Sequence, residues 1–146
     1  MRLNTCSAVI SFLTNLEEES AKFYEKMAKK YPEDKEQLLS FSKENKKYKT
    51  MVERSYYGVI SDALEACFSF EKGLNSEDYA VKTEIQESSS YSTNLKLAKE
   101  IERAIQKAYK DAATLSAGLM ADVTQTFSII AKKRNSRIIK LAKFSL

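Results

Sequence analysis

The sequence predicts an all-α four-helix bundle, and three observations carry that prediction. Three Gly and one Pro in 146 residues are too few for a sheet protein, which needs a turn every ~8–12 residues. Apolar residues recur alternately three and four apart in four separate segments. The connections between those segments run short, long, short, which makes two antiparallel hairpins joined by a crossover. Hydrophobic residues at 43% and charged residues at 30% suit one packed interior, so residues 1–146 read as a single helical domain.

The first helix is expected over about 5–31, with Ile10, Leu13, Glu17, Ser20, Tyr24, Met27 and Tyr31 along its inner seam; Pro32 ends it. Cys6 to Leu13, after Arg2, superficially resembles a short signal peptide. It lacks a small-residue cleavage site and runs straight into Glu17-Glu18-Glu19, so it belongs to the helix. The second helix, about 34–57, places Leu38, Phe41, Asn45, Tyr48, Val52 and Tyr56 on its seam. A crossover of about 57–93 follows. Val59, Ile60, Ala63, Leu64, Cys67 and Phe68 suggest a short extra helix stopped by Gly73, and Ser88-Ser89-Ser90 suggests a surface loop. The third helix, about 94–116, uses Leu95, Ala98, Glu102, Ile105, Tyr109 and Ala112. Gly118 separates it from the fourth, about 122–144, where Asp122 and Gln125 read as a capping box. The fourth seam is Val123, Phe127, Ile130, Arg134, Arg137, Leu141 and Phe144.

Composition removes several function classes. Histidine is absent, so neither a catalytic triad nor a His-ligated metal can be built from this chain. Cys6 and Cys67 match no metal spacing and are expected to be reduced cytosolic thiols. No segment approaches the ~18 apolar residues of a membrane span, and the expected location is cytoplasmic. Net charge is +4, but unevenly spread. The first 122 residues sum to −2, whereas 123–146 carry six basic side chains and no acid.

The two halves repeat. An offset of 85 sets Ile10 on Leu95, Leu13 on Ala98, Glu17 on Glu102, Tyr24 on Tyr109 and Ala28 on Ala113. An offset of 89 sets Phe41 on Ile130, Asn45 on Arg134, Tyr48 on Arg137 and Val52 on Leu141. The difference of four is about one helical turn, absorbed in a longer second loop. Each seam is interrupted by polar residues at about the same height, so a bundle would hold Glu17, Asn45, Tyr48, Glu102, Arg134 and Arg137 in one internal layer. Two carboxylates then face two guanidinium groups and the layer sums to zero, as burial of charge requires. Tyr24 and Tyr109 are expected beside the layer as core residues whose hydroxyls join it.

Leu16-Glu17-Glu18-Glu19-Ser20-Ala21-Lys22-Phe23-Tyr24, with its repeat around Glu102 and Tyr109, resembles the rubrerythrin-like branch of the ferritin-like superfamily. The resemblance covers roughly 10–56 and 95–144, about 100 residues, and the single long crossover agrees with a ferritin-like bundle. In that family a Glu from each of the first and third helices and a Glu-x-x-His from each of the other two bind two irons. Glu17 and Glu102 match the single ligands. Asn45 and Tyr48 stand at the second-helix pair, and Arg134 and Arg137 at the fourth-helix pair. Four of six ligand positions are thus replaced, two of them by cations, which leaves Glu17 and Glu102 as vestigial ligand positions with no metal or cofactor expected.

The favoured reading is a non-catalytic ferritin-like protein in which an ion-pair layer takes the metal's place and the scaffold serves binding or assembly. One alternative is an active di-iron oxidoreductase or peroxidase, or an iron-binding protein, with an atypical site at Glu17 and Glu102. A second is an anion- or nucleic-acid-binding helical module using Lys132, Lys133, Arg134, Arg137, Lys140 and Lys143. Nucleic acid is disfavoured because no aromatic stacking platform accompanies the basic residues. Phe68, Phe70, Tyr79 and Tyr91 lie outside the four seams and are expected to anchor a homodimer through the crossover.

Overall fold

Capping side chains set the helix ends. The computed structural model describes residues 1–57, 69–117 and 121–144, with backbone alone at 69–71. Helix α1 spans Cys6–Lys30; the Thr5 hydroxyl caps it by accepting from the Ala8 amide at 3.1 Å. Pro32 cannot continue the helix and opens a single 3-10 turn, Pro32–Asp34, that leads into α2, Lys35–Tyr57. Helix α3 spans Tyr91–Ser116 and α4 spans Ala121–Lys143. Within each hairpin α1 packs on α2 and α3 on α4, while α2 against α4 and α1 against α3 close the ring. Every seam position expected from the sequence is buried, apart from Tyr31 and Phe144, which are half-buried. None of the described helices is long and apolar enough to cross a membrane.

The crossover departs most from expectation. A two-stranded antiparallel sheet joins β1, Arg2–Thr5, to β2, Ser69–Asn75, where the sequence suggested only helix and loop. The pairing of Arg2 with Asn75 and Leu3 with Leu74 breaks into a bulge before Thr5 meets Ser69. Gly73 sits in that bulge at φ +64°, and a Cβ there would lie 2.2 Å from the Leu3 carbonyl oxygen. It therefore serves a strand bulge rather than a helix stop. The expected extra helix over 59–68, with Cys67, lies outside the described residues, as does Gly118.

Two helix starts also shift. Ser90 Oγ accepts from the Thr93 amide at 3.1 Å, so the last serine of the expected loop is the cap of α3, which begins at Tyr91. Asp122 lies inside the first turn of α4 rather than ahead of it, where its charge complements the helix dipole. Two of the four crossover aromatics are spent on their own bundle. Tyr79 is buried against Phe12, and its hydroxyl donates to Asp111 at 2.7 Å. Tyr91 stacks on Tyr31 with centroids 3.8 Å apart and donates to Asp34. Phe68 and the Phe70 side chain lie outside the described residues.

Candidate functional site

The polar layer is built because each helix places one interruption of its apolar seam at mid-height. Arg134, fully buried, projects from α4 into the centre of the ring. Its Nη1 donates to both oxygens of Glu102 at 2.9 Å, and its Nη2 donates to both oxygens of Glu17. One guanidinium thus joins α3, its hairpin partner, to α1 on the far diagonal. Arg137, one turn on, donates from Nη1 to Glu102 at 3.1 Å and to the Asn45 side-chain oxygen. Its Nη2 reaches the Phe41 carbonyl at 3.2 Å and Glu44 at 3.3 Å.

The tyrosines cross between hairpins as reciprocal partners. Tyr24 of α1 donates to Glu102 at 2.7 Å, and Tyr109 of α3 donates to Glu17 at 3.2 Å. Asn45 anchors its amide by donating to Ser20 Oγ at 2.9 Å. Tyr48 acts through its ring: the Arg134 and Arg137 guanidinium carbons lie 5.3 and 5.7 Å from its centroid. Its hydroxyl turns outward to Glu44 at 3.3 Å.

All six residues expected in the layer are therefore together, with Tyr24 and Tyr109 beside them. Sequence reasoning did not include Glu44 and Ser20 in the layer, nor the Phe41 carbonyl. Glu44 is half-buried at the edge of a seam, and the available signal was its place one turn before Tyr48. Ser20 was visible as a small polar break in the α1 seam.

Burial and pairing act against each other here. Burial raises the Glu17 carboxyl above its ordinary range although Arg134 opposes the rise. Burial also pushes Glu102 upward, but Arg134, Arg137 and the Tyr24 hydroxyl together outweigh it and leave its carboxyl lowered. Burial drives Tyr24 and Tyr109 well above the usual phenol range and pushes Tyr48 up to about 12. Burial lowers the Arg134 affinity for its proton, yet the two glutamates reverse this, so it is a fixed cation. The Nε of each arginine is buried with no partner among the described residues. Each such donor costs ~1–3 kcal/mol, which offsets part of what the ion pairs contribute.

The layer does not fit a metal pair. Among the described residues no group of three or more Cys, Asp or Glu is placed to hold an ion. Arg134 fills the space between Glu17 and Glu102 and uses both oxygens of each. Like unit charges ~4 Å apart repel by about 4 kcal/mol at an effective dielectric near 20, and a dication doubles that.

Fold and interior together define a mostly helical chain whose described residues form four helices and a two-stranded sheet, with a closed glutamate–arginine layer at the centre. No family model matches the chain, and no curated protein or solved structure is similar enough to count as a match.

Proposed function

We propose that this chain is a non-catalytic ferritin-like protein in which an internal Glu–Arg layer stands where a di-iron site would be, the scaffold being kept for binding or assembly. The observation that carries the reading is the Arg134 guanidinium, which bonds Glu17 and Glu102 at once. The register of the repeat adds to it: the four seam positions that carry Asn45, Tyr48, Arg134 and Arg137 are those where the resemblance calls for ligands. Without that set the layer lacks the donors for iron chemistry, and Tyr24 and Tyr109 serve as hydrogen-bond donors to its carboxylates rather than as redox groups.

Restoring the ligands tests this reading. Asn45→Glu, Tyr48→His, Arg134→Glu and Arg137→His together supply all six ligand types at the expected spacing. The variant should unfold at a higher temperature with iron(II) than without, whereas the parent should not respond. Stoichiometric iron or manganese in the purified parent would overturn the reading in favour of an atypical di-iron protein. An indifferent variant would remove the ferritin-like part of it.

A further inference from the structure

The internal repeat exposes a groove whose charge partners are missing. Along α1 and α2, acids and bases meet across the helices: Glu25 pairs with Lys46 at 3.2 Å, and Glu18 pairs with Lys49. The offset of 85 carries Glu18 to Arg103 and Glu25 to Lys110, so both acids become cations. The offset of 89 carries Lys46 to Asn135 and Lys49 to Ile138, so both bases become neutral. Among the described residues no surface ion pair joins α3 to α4; their only bridges are the buried ones from Arg134 and Arg137 to Glu102.

The facing of this groove is settled by contact. Gln106 donates to the Ala131 carbonyl at 3.1 Å, and the Ser116 and Thr124 hydroxyls meet at 2.6 Å. Helical spacing then places Lys99, Arg103 and Lys110 on the same stripe of α3 as Gln106. A groove of about 670 Å³ lies along it, floored by Ala113 and Ala131 and rimmed by Lys110, Lys132 and Asn135. Ile139, beyond Asn135 on α4, is 55% exposed. Of the other acids on these helices, Asp111 is held by Tyr79 and Lys107, Asp122 faces Met51 and Arg54, and exposed Glu100 is turned about 100° around α3 from Lys99.

We propose that the α3–α4 groove binds an acidic amphipathic helix of a partner protein. Arg103 and Lys110 are seven residues apart, about 10 Å along the axis, and match carboxylates one heptad apart on an incoming helix. The small alanines let that helix approach, and Ile139 meets its apolar edge. A polynucleotide is the poorer fit, since neither stripe carries an aromatic side chain on which a base could stack. The inference deepens the binding role proposed above and rests on it. It is nevertheless tested separately, because the metal experiment reads the interior and this one reads the surface.

The probe is a synthetic helix of about 20 residues, with glutamates seven apart beside a leucine face, titrated against the full chain. Binding should weaken at least tenfold in Arg103→Glu/Lys110→Glu and stay unchanged in Lys43→Glu/Lys47→Glu on α2. Adding Asn135→Lys and Ile138→Lys to the first pair copies the α1–α2 pattern into the groove. That fourfold variant should remain unbound while melting higher than the twofold one, and it carries the test if the twofold variant fails to fold. The proposal is overturned by no binding at about 1 mM probe, by equal loss in the α2 control, or by tighter binding of a single-stranded oligonucleotide at the same site.

Discussion

Glu17 and Glu102 occupy equivalent places in the two hairpins, yet their surroundings differ. Glu102 receives both arginines and Tyr24, whereas Glu17 receives Arg134 and Tyr109. The difference arises on the second helix of each hairpin, where the first half carries neutral Asn45 and Tyr48 and the second carries two cations. At the fully buried centre the first hairpin thus brings −1, from Glu17, and half-buried Glu44 adds a second negative charge at the edge beside Arg137. The second hairpin brings +1, from Glu102 at −1 and the arginines at +2. Neither is neutral alone, so burial of the layer is favourable only when the hairpins dock. A symmetric repeat would have met like charge with like charge; the divergence is what lets the two halves close on each other.

The largest expected effect breaks that docking at its centre. Arg134→Ala should cost ~3–5 kcal/mol in urea unfolding, because two buried carboxylates lose their shared cation. The equivalent change in the first hairpin, Asn45→Ala, should cost only ~1–3 kcal/mol, the penalty for leaving Arg137 and Ser20 without a neutral partner. Arg134→Lys should rescue little, since one ammonium cannot donate in parallel to two carboxylates. A neutral Arg134→Ala would mean that the layer does not hold the hairpins together.

The two glutamates sharpen the comparison through pH. A carboxylate with a lowered folded pKa, as at Glu102, contributes stability that is present above its unfolded value near ~4.3 and lost as pH falls through the folded one. Glu17, raised by burial, has the opposite sign: its contribution is greatest in acid and declines as pH rises from the unfolded value through the folded one. The stability gap between parent and Glu102→Gln should therefore shrink from pH 7 towards pH 3.5, whereas the gap for Glu17→Gln should widen. Urea midpoints across that range give both slopes, and parallel slopes would show that the glutamates are electrostatically equivalent.

Much of this was legible because burial and periodicity are local properties. The alternation of three and four placed each seam, and the paired offsets placed Glu17 beside Glu102 and Asn45 opposite Arg134 in height. Which arginine takes which acid was not legible, because it depends on the diagonal reach of a long side chain across the ring. The strand pair was missed for a related reason. Arg2–Thr5 is too short to show alternation, and its partner Ser69–Asn75 is more than sixty residues away. Gly73, read as a stop, gave the only hint of a backbone needing φ above zero.

The reciprocal tyrosines offer a smaller test of the same asymmetry. Tyr24→Phe removes a 2.7 Å bond to Glu102, and Tyr109→Phe a 3.2 Å bond to Glu17. Each should cost ~1–2 kcal/mol, with Tyr24 the larger, since its bond is the shorter and its acceptor the more firmly ionised. Equal losses would place the tyrosines outside the difference between the glutamates.

The smallest expected effect lies on the surface, where the hairpins differ by pairing rather than by burial. Lys46→Ala removes the partner of Glu25, whose carboxyl is held low first by the Ser42 hydroxyl and then by Lys46 itself. Glu25 keeps Ser42 at 2.9 Å, and both members of the pair are well exposed, so the loss should stay below about 1 kcal/mol. It should also fade as salt rises towards 1 M, where screening extends only ~3 Å. Among the described residues Asn135, its counterpart in the second hairpin, meets no carboxylate across the groove, because Lys110 stands where Glu25 stands in the first. Asn135→Ala should accordingly be neutral at every salt concentration, and Asn135→Asp should stabilise at low salt by facing Lys110. A salt-dependent loss in Asn135→Ala would reveal an acid on that face and remove the electrostatic difference between the two grooves.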